Sequence, residues 1–253
     1  MASLPGRMRT EWTRLDELIG EQERYDVACR KCPKFSALFR SCTVPIGSKL
    51  RACICASAEL HLRRAAGATV LEVGCGESSF VRACVEAVGG HWVGLDPRAG
   101  KGSHHSSRSV GGQVAHLPFS DGAFAAVVGT QTIEHWEDPT SPVKDCDYRS
   151  AMEEVYRVLR PGGWIYFDAP VHLHGASEFI LGDLEKIRSI FSFQEWEGLR
   201  VLTWRKRFAP LRPALPKKDE VEEWPGIIDA ELIPGLRRQP MYVVAITANK
   251  PGR

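Results

Sequence analysis

Short apolar runs and helix-like segments alternate along the chain from Thr69, and this alternation restricts the fold more than any other feature. TVLEV (69–73) and HWVGLD (91–96) are typical of buried strands. Between them, Ser78 to Val88 predicts a helix that ends at the Gly89–Gly90 pair. Strands separated by helices indicate a parallel sheet with helices on both faces. We therefore expect an α/β fold.

The alternation continues towards the C-terminus. Further predicted elements are a weak third strand over Gln113 to Ala115, a fourth strand over 124–129, a helix over 148–159, an RPGG turn at 160–163, a fifth strand over 164–170, and two later strands over Leu199 to Arg205 and Met241 to Thr247. A stretch rich in proline and charge, at about 208–240, predicts an inserted lid. Residues 97–112 contain almost no apolar side chains and predict an exposed loop.

The first 66 residues follow a different pattern. Apolar residues at helical spacing predict one helix over 10–24 and another from about Lys49 to Ala66, with a cysteine-bearing stretch between them. We therefore expect a helical, cysteine-bearing cap region over 1–66 and a core domain over 67–253 that carries the lid.

Composition limits the class of protein. Hydrophobic residues make up 43% and charged residues 25% of the 253 residues, as in soluble globular domains. The formal charge of +2 lacks the strongly basic balance of a nucleic-acid binder. No apolar run approaches the roughly 18–20 residues of a membrane helix, and the N-terminus lacks the pattern of a secretory signal. We expect a cytoplasmic protein that contacts neither nucleic acid nor membrane; the sequence leaves its oligomeric state open.

The first predicted strand runs directly into a glycine turn, VLEVGCGESSF (70–80). In an open parallel sheet, ligands bind beyond the carboxyl ends of the strands, and glycines let the backbone approach them closely. A dinucleotide fingerprint would place a third glycine where Ser79 stands, and a phosphate-binding GxxxxGK[ST] loop is absent from the sequence. Both of these nucleotide-binding interpretations are therefore weakened.

Asp96 closes the second predicted strand, 20 residues beyond Gly76. An acidic side chain at this spacing can accept hydrogen bonds from the hydroxyls of a ribose. The alternative is a turn-forming aspartate before Pro97. The glycine turn upstream favours the ribose role.

Four motifs, in order, resemble those of class I S-adenosylmethionine-dependent methyltransferases, in the large type 11-like subgroup that modifies small molecules. LEVGCG resembles the family's first motif, and GLD resembles its acidic ribose motif. HLPFSDGAFAAVVGTQTIEHWEDP resembles the stretch around the fourth strand, and EEVYRVLRPGGWIYFDAP resembles the helix, turn and fifth strand that follow. The resemblance covers about Thr69 to Pro170 and the two C-terminal strands.

This resemblance implies a Rossmann-like, doubly wound sheet of seven strands, mainly parallel with an antiparallel last strand, and S-adenosylmethionine as the cofactor. The family often has an aspartate at Gln113 to accept a hydrogen bond from adenine; a glutamine carbonyl can accept the same bond. The implied cofactor residues are Glu72, Gly74, Cys75 and Gly76 for the methionine portion, Asp96 and Pro97 for the ribose, Gln113 and Val114 for the adenine, and Gly129, Thr130 and Gln131 under the sulfonium end.

Three histidines follow predicted strands at the ligand-binding edge of the sheet: His135, His172 and His174. Methyl transfer chiefly needs alignment of the nucleophile with the methyl group, and it needs a general base only for an acceptor such as a hydroxyl. The histidines are candidates for that base because histidine is the residue type that most often exchanges protons in catalysis. Alternatively, His135 could contact the substrate, His172 and His174 could act together as metal ligands, or all three could be ordinary loop residues.

The N-terminal region carries most of the cysteines. Cys29, Cys32 and Cys42, with Cys53 or Cys55, could bind a structural metal, although packed reduced thiols are the commoner arrangement. We predict no catalytic metal. The sequence predicts a methyltransferase for a small-molecule acceptor, such as a hydroxyl of a sugar or secondary metabolite. One alternative is an enzyme that methylates a thiol or trivalent arsenic with the help of these cysteines, and the other is a non-catalytic, cofactor-binding regulatory or scaffold subunit.

Overall fold

The computed structural model describes residues 61–76, 79–99, 108–138, 146–171, 175–206, 221–224 and 242–252. The predicted helix over 10–24, almost all of the predicted cap region and most of the predicted lid lie outside these residues. No helix within the described ranges has the length and apolar character needed to cross a membrane.

The described strands are β1 (Thr69–Val73), β2 (His91–Asp96), β3 (Ser109–Gly111), β4 (Phe124–Thr130), β5 (Leu159–Val171), β6 (Glu197–Lys206), β7 (Val221–Trp224) and β8 (Tyr242–Asn249). The described α-helices are α1 (Phe80–Ala87), α2 (Tyr148–Val158), α3 (Ser177–Leu181) and α4 (Leu184–Ser189). Two 3-10 helices span Arg63–Ala65 and Ile133–His135.

These eight strands form one sheet in the order β3-β2-β1-β4-β5-β8-β6-β7. The pairs from β3 through β5 are parallel, whereas β8 runs antiparallel to β5 and to β6. The chain order reverses between β1 and β4, so the ligand-binding crevice of such a sheet opens at their carboxyl ends. The predicted fold class is confirmed. The short strand β7, within the predicted lid, extends the edge of the seven-stranded sheet by pairing with β6.

Alternation along the central strands buries both faces of the sheet. Leu71, Val127 and Ile165 belong to one apolar cluster, whereas Val70 and Val128 belong to a second. Successive strand residues point to opposite faces, so the two clusters lie on opposite sides of the sheet. Strands buried on both faces read as continuous apolar runs, which is why the sequence predicts β1 and β4 well.

The helices α1, α2 and α4 begin at side-chain caps, and the helices present apolar faces to the sheet. The Asp147 carboxylate accepts a hydrogen bond of 2.8 Å from the amide of Ser150 at the start of α2, as N-cap residues do. Met152, Val155 and Val158 on α2 are fully buried, which places the predicted apolar face of the helix 148–159 in the core.

The predicted third strand is wrong in position. β3 spans Ser109–Gly111, and Gln113 makes only an isolated bridge with His116. The same strand also corrects the prediction of a loop throughout 97–112. β3 has three residues and only one large apolar side chain, Val110, so its pairing with β2 depends on backbone hydrogen bonds that leave no hydrophobic pattern.

Candidate functional site

The glycine turn after β1 is held against the end of β2 by backbone hydrogen bonds. The amides of Gly74 and Cys75 both donate to the carbonyl of Leu95, at 2.8 Å and 3.1 Å. Gly74 and Gly76 have φ angles of +71° and +59°, which favour glycine. A Cβ on Gly76 would meet no atom of the described residues within 4 Å. The turn therefore leaves room for a ligand close to its backbone.

Asp96 lies beside this turn, as the sequence predicts. Its carboxylate accepts hydrogen bonds from the Gly76 amide at 3.1 Å and from the amide and Nε of Arg98 at 2.9 Å and 3.1 Å. Burial alone would raise the pKa of Asp96, but the hydrogen bonds and charge of Arg98, together with the Gly76 amide, lower it below its usual value. Asp96 is therefore a charged acceptor at the carboxyl end of β2.

Glu72 is a second carboxylate on β1, behind the glycine turn. It accepts hydrogen bonds from the Ser79 hydroxyl and, at 2.7 Å, from the indole Nε1 of Trp92. Burial raises the pKa of Glu72 to about 7, and the negative charge of Asp96 adds to the shift, although both donors oppose it. Near neutral pH, Glu72 therefore changes between a neutral and a charged form.

Cys75 contributes its backbone to the turn, while its side chain lies in the core. The thiol is 4% exposed, and its sulfur lies 3.9 Å from the Ser109 hydroxyl. Burial, with the charge of Glu72, raises the pKa of the Cys75 thiol to about 12. A thiol that holds its proton so strongly is a poor nucleophile, so Cys75 serves to fill space behind the turn.

The end of β4 brings Gly129, Thr130 and Gln131 to the same edge of the sheet. A Cβ on Gly129 would lie only 2.7 Å from the Phe167 ring. Among the described residues, Gln131 is the one non-glycine residue with a positive φ, at 51°. Its amide donates to the carbonyl of Asp168 at 2.9 Å and to that residue's carboxylate at 3.1 Å. The chain thus turns sharply at the position that the sequence assigns to the sulfonium end of the cofactor.

Thr132 connects this turn to the glycine turn of β1. A Cβ on Gly74 would lie 2.8 Å from the Cβ of Thr132, and one on Gly129 would lie 2.6 Å from its Cγ2. Such distances are too short for real side chains, so both glycines are required by packing against Thr132. The two walls of the candidate pocket therefore fit together through one side chain.

His135 follows β4 in a short 3-10 helix, with its side chain 39% exposed. Its Nδ1 lies 3.4 Å from a carboxylate oxygen of Asp138, and its Nε2 lies 3.9 Å from one of Glu134. Glu134 is fully buried, and burial raises its pKa well above the usual value, with the charges of Asp168 and Asp138 adding to the shift. The predicted base thus lies among carboxyl groups at the carboxyl end of β4.

The predicted adenine residues follow β3. Val114 is 7% exposed and belongs to the core, whereas Gln113 is half-buried beside it. The loop that follows is fastened to α2, because the Glu154 carboxylate accepts the Leu117 amide at 2.7 Å and Arg157 donates to the Leu117 carbonyl at 3.0 Å. This wall of the pocket is held by charged side chains of the helix.

Several predicted site residues lie outside the described residues. They are His172, His174, Cys29, Cys32, Cys42, Cys53 and Cys55. Within the described ranges, no group of three or more histidine, cysteine, aspartate or glutamate side chains is placed to hold a metal ion.

Sequence reasoning missed Thr132, Asp138 and Asp168 as members of this site. An aspartate inside the apolar strand WIYFDAP was the one available signal, because a buried carboxyl group needs a structural or functional reason. Thr132 gave no signal, since its role depends on contacts with two glycines from different strands.

The geometry fits S-adenosylmethionine. The space above Gly76 admits a ligand close to the turn, and the charged carboxylate of Asp96 offers the acceptor oxygens that a ribose diol needs. Glu72 lies on β1, two residues before Gly74 of the turn.

Comparison with known proteins agrees with this fit. A family model described as a methyltransferase domain matches residues 71–167. A probable S-adenosylmethionine-dependent methyltransferase of Mycolicibacterium smegmatis is 34% identical over 112 residues, which cover 42% of this chain and 40% of that protein. A demethylmenaquinone methyltransferase of Staphylococcus epidermidis is 33% identical over 112 residues, which cover 39% of this chain and 42% of that protein.

A solved structure of an S-adenosylmethionine-dependent methyltransferase from Archaeoglobus fulgidus is 17% identical, with a TM-score of 0.48 over 77% of this chain and 93% of that one. The match to the two relatives spans less than half of the length of each. The predicted resemblance is confirmed through residues 71–167, which match the model of a methyltransferase domain.

Proposed function

We propose that the protein transfers a methyl group from S-adenosylmethionine to a hydroxyl of a small-molecule acceptor, such as a sugar or secondary metabolite. The observation that carries the cofactor assignment is the contact between the Gly76 amide and the Asp96 carboxylate, which joins the two motifs of the donor site at 3.1 Å. Support for a small acceptor comes from the relatives, which include a demethylmenaquinone methyltransferase and a sterol 24-C-methyltransferase from Yarrowia lipolytica.

S-adenosylmethionine, when bound, supplies a methyl group on a positively charged sulfur. The work left to the chain is to bind, orient and shelter the reactants. Asp96 would accept hydrogen bonds from the ribose hydroxyls, Gly74 and Gly76 would line the methionine portion with backbone, and Gln113 would accept from the adenine amino group. The residues at the end of β4 would lie beneath the reacting end.

His135 is the candidate general base for a hydroxyl acceptor. With Nδ1–H donated towards Asp138, 3.4 Å away, Nε2 becomes the basic nitrogen of the ring. That nitrogen would take the acceptor's proton as the oxygen attacks, and the side chain is exposed enough to meet an acceptor. Asp138 holds the ring and stabilises the positive charge that the proton brings.

Two measurements test the function. Calorimetry of the purified full chain should show binding of S-adenosylmethionine, and an acceptor panel should yield S-adenosylhomocysteine with at least one hydroxyl compound. His135→Gln should lower kcat by about 100-fold or more while leaving cofactor affinity within about threefold, because general-base catalysis typically contributes 10²–10⁴-fold. Absence of cofactor binding by the wild-type chain would refute the proposal.

The same panel separates the alternatives. Turnover confined to thiol or trivalent arsenic acceptors, lost in Cys29→Ser with Cys32→Ser, would favour the soft-acceptor enzyme. Binding without product across all acceptor classes would favour a regulatory or scaffold subunit. Location in the cytoplasm also stays a prediction, which fractionation of the source cells would test.

A further inference from the structure

We propose that Asp168 is a positioning residue: it holds Gln131 in its left-handed backbone conformation and thereby sets the shape of the donor pocket at the end of β4. This inference rests on the proposed function, since it concerns the same pocket. Asp168 lies on β5, opposite Thr130 of β4 in the strand register. It therefore meets the chain at the point where β4 ends.

Gln131 needs such support because of its backbone conformation. Its φ of 51° lies in the region where a side chain beyond glycine crowds the backbone, and glutamine has none of the local hydrogen bonding that helps asparagine there. Strained residues of this kind persist only where their surroundings hold them, and they occur often at functional sites.

The support comes from two acceptors on one residue. The Gln131 amide donates to the backbone carbonyl of Asp168 at 2.9 Å and to its carboxylate Oδ1 at 3.1 Å. The carbonyl contact alone is available to any residue at position 168. The carboxylate adds an acceptor that the strand itself does not supply, and it fixes the direction of the amide.

Neighbouring residues leave the turn little room to adopt another shape. Gly129 is packed against Thr132 and the Phe167 ring, so that even a Cβ there would approach to 2.6 Å and 2.7 Å. Beyond the turn, the carbonyl of Glu134 accepts the Ala176 amide at 2.7 Å. With both ends fixed, the orientation of the Gln131 peptide depends mainly on Asp168.

Burying a carboxyl group at this depth costs more free energy than burying a neutral hydrogen-bond acceptor would. Asp168 is fully buried, and burial raises its pKa to about 8, although hydrogen bonds from the Tyr166 side chain and then from the Gln131 amide oppose the shift. The sheet itself does not require a carboxyl group there, because Ala245, the register partner of Asp168 on β8, is apolar and fully buried. Asp168 lies at the ligand-binding edge of the sheet, beside the Gln131 turn, and we infer that its carboxyl group is there to support that turn.

A double-mutant cycle tests the proposal by calorimetry with S-adenosylhomocysteine. Asp168→Ala should weaken binding about tenfold in the wild-type background and at most about twofold in a Gln131→Gly background, since glycine adopts positive φ without support. Asp168→Asn keeps an acceptor for the amide and should bind within about threefold of wild type. Thr247→Val, which alters another buried polar residue of the sheet, serves as the control and should leave affinity unchanged.

Thermal unfolding of the four proteins of the cycle separates loss of affinity from loss of stability. Equal loss of affinity in both backgrounds, or loss in Asp168→Asn as large as in Asp168→Ala, would overturn the positioning role while leaving the proposed function intact. Failure of the wild-type chain to bind either S-adenosylmethionine or S-adenosylhomocysteine would overturn the proposed function and this role with it.

Discussion

Asp96 and Glu72 are buried carboxyl groups on neighbouring strands, yet the protein shifts their pKa values in opposite directions. Asp96 receives charged and backbone donors from Arg98 and Gly76, which lower its pKa. Glu72 receives only the neutral donors of Ser79 and Trp92 in the described structure, and burial raises its pKa to about 7. Burial alone therefore does not fix the charge of an acidic residue; the kind of donor that reaches it does.

The contrast between lowered and raised pKa values extends to other carboxyl groups at this edge of the sheet. Asp168 and Glu134 also have raised pKa values, with burial as the largest cause. We call Asp96 and the glycine turn the mouth of the pocket; its carboxyl group stays charged. We call Glu72, Asp168 and Glu134 the interior; their carboxyl groups bind protons more tightly than usual. The mouth is therefore suited to hydrogen-bonding a polar ligand.

The largest effect is expected from Asp96→Ala at the mouth. Hydrogen bonds to a charged group contribute about 1.5–3 kcal/mol each, so losing the acceptor for two ribose hydroxyls should weaken S-adenosylmethionine binding by at least about 100-fold. Calorimetry at pH 7 measures this loss. Glu153→Ala, which removes an exposed carboxylate from α2, is the matched control. Unchanged binding in Asp96→Ala would mean that the mouth does not hold the ribose.

Gly74→Ala tests the junction between mouth and interior. The substitution adds a side chain at a φ of +71° and places its Cβ 2.8 Å from that of Thr132, so we expect a loss of roughly 2–3 kcal/mol in the free energy of unfolding. Gly76→Ala has similar φ strain but meets no described atom within 4 Å, so it should lose only about 1 kcal/mol. Chemical denaturation compares the two. Equal losses would show that Thr132 does not brace the turn.

Sequence predicted the mouth better than the interior. The glycine turn and Asp96 follow from local rules, namely the angles that glycine permits and the edge at which parallel strands end. Asp168 and Thr132 gain their contacts only when β5 pairs with β4 and β1 packs beside them. Such contacts depend on strand register, which a single sequence does not specify.

The strands of the sheet show the same division between what local sequence patterns predict and what strand pairing decides. β1 and β2 occupy the residues predicted for them, because continuous apolar runs end at glycine or at Asp-Pro. β3 and β7 were missed as strands of three and four residues at the two edges of the sheet, where each pairs with a single neighbouring strand. Hydrophobic patterning therefore predicts the centre of this sheet, and backbone pairing decides its edges.

Glu72→Gln should change the pH dependence of stability. The folded pKa of about 7 lies above the ordinary value of 4.5, so the native state binds this proton more tightly than the unfolded chain does. The proton on Glu72 therefore contributes fully to the free energy of unfolding below about pH 4.5, and this contribution is lost as pH rises through 7. Glutamine cannot ionise, so at pH 8 the variant should be about 3 kcal/mol more stable than wild type, with a gain of less than about 1 kcal/mol at pH 5.

Thermal unfolding from pH 5 to pH 8 measures this difference, and Glu153→Gln on the exposed face of α2 is the control. Parallel curves for wild type and Glu72→Gln would show that the interior carboxyl titrates like an ordinary one. Glu72→Gln could also bind the cofactor more weakly than wild type does. That result would show that the buried carboxylate of Glu72 lowers stability but strengthens cofactor binding, and it would link the raised pKa to the donor site.

Arg98→Ala should produce the smallest effect and the most direct test of what the mouth is for. The guanidinium is 51% exposed, so its ion pair with Asp96 contributes less than about 1 kcal/mol. It nevertheless occupies acceptor positions on the carboxylate that a ribose diol would use, and it places positive charge near a cationic cofactor. Removing it should tighten S-adenosylmethionine binding by about two- to fivefold, since both effects act in the same direction.

Arg108→Ala removes an equally exposed charge next to β3 without touching Asp96, so it isolates the long-range part of the effect. Weaker binding in Arg98→Ala alone would instead place the guanidinium in the cofactor site as a direct contact.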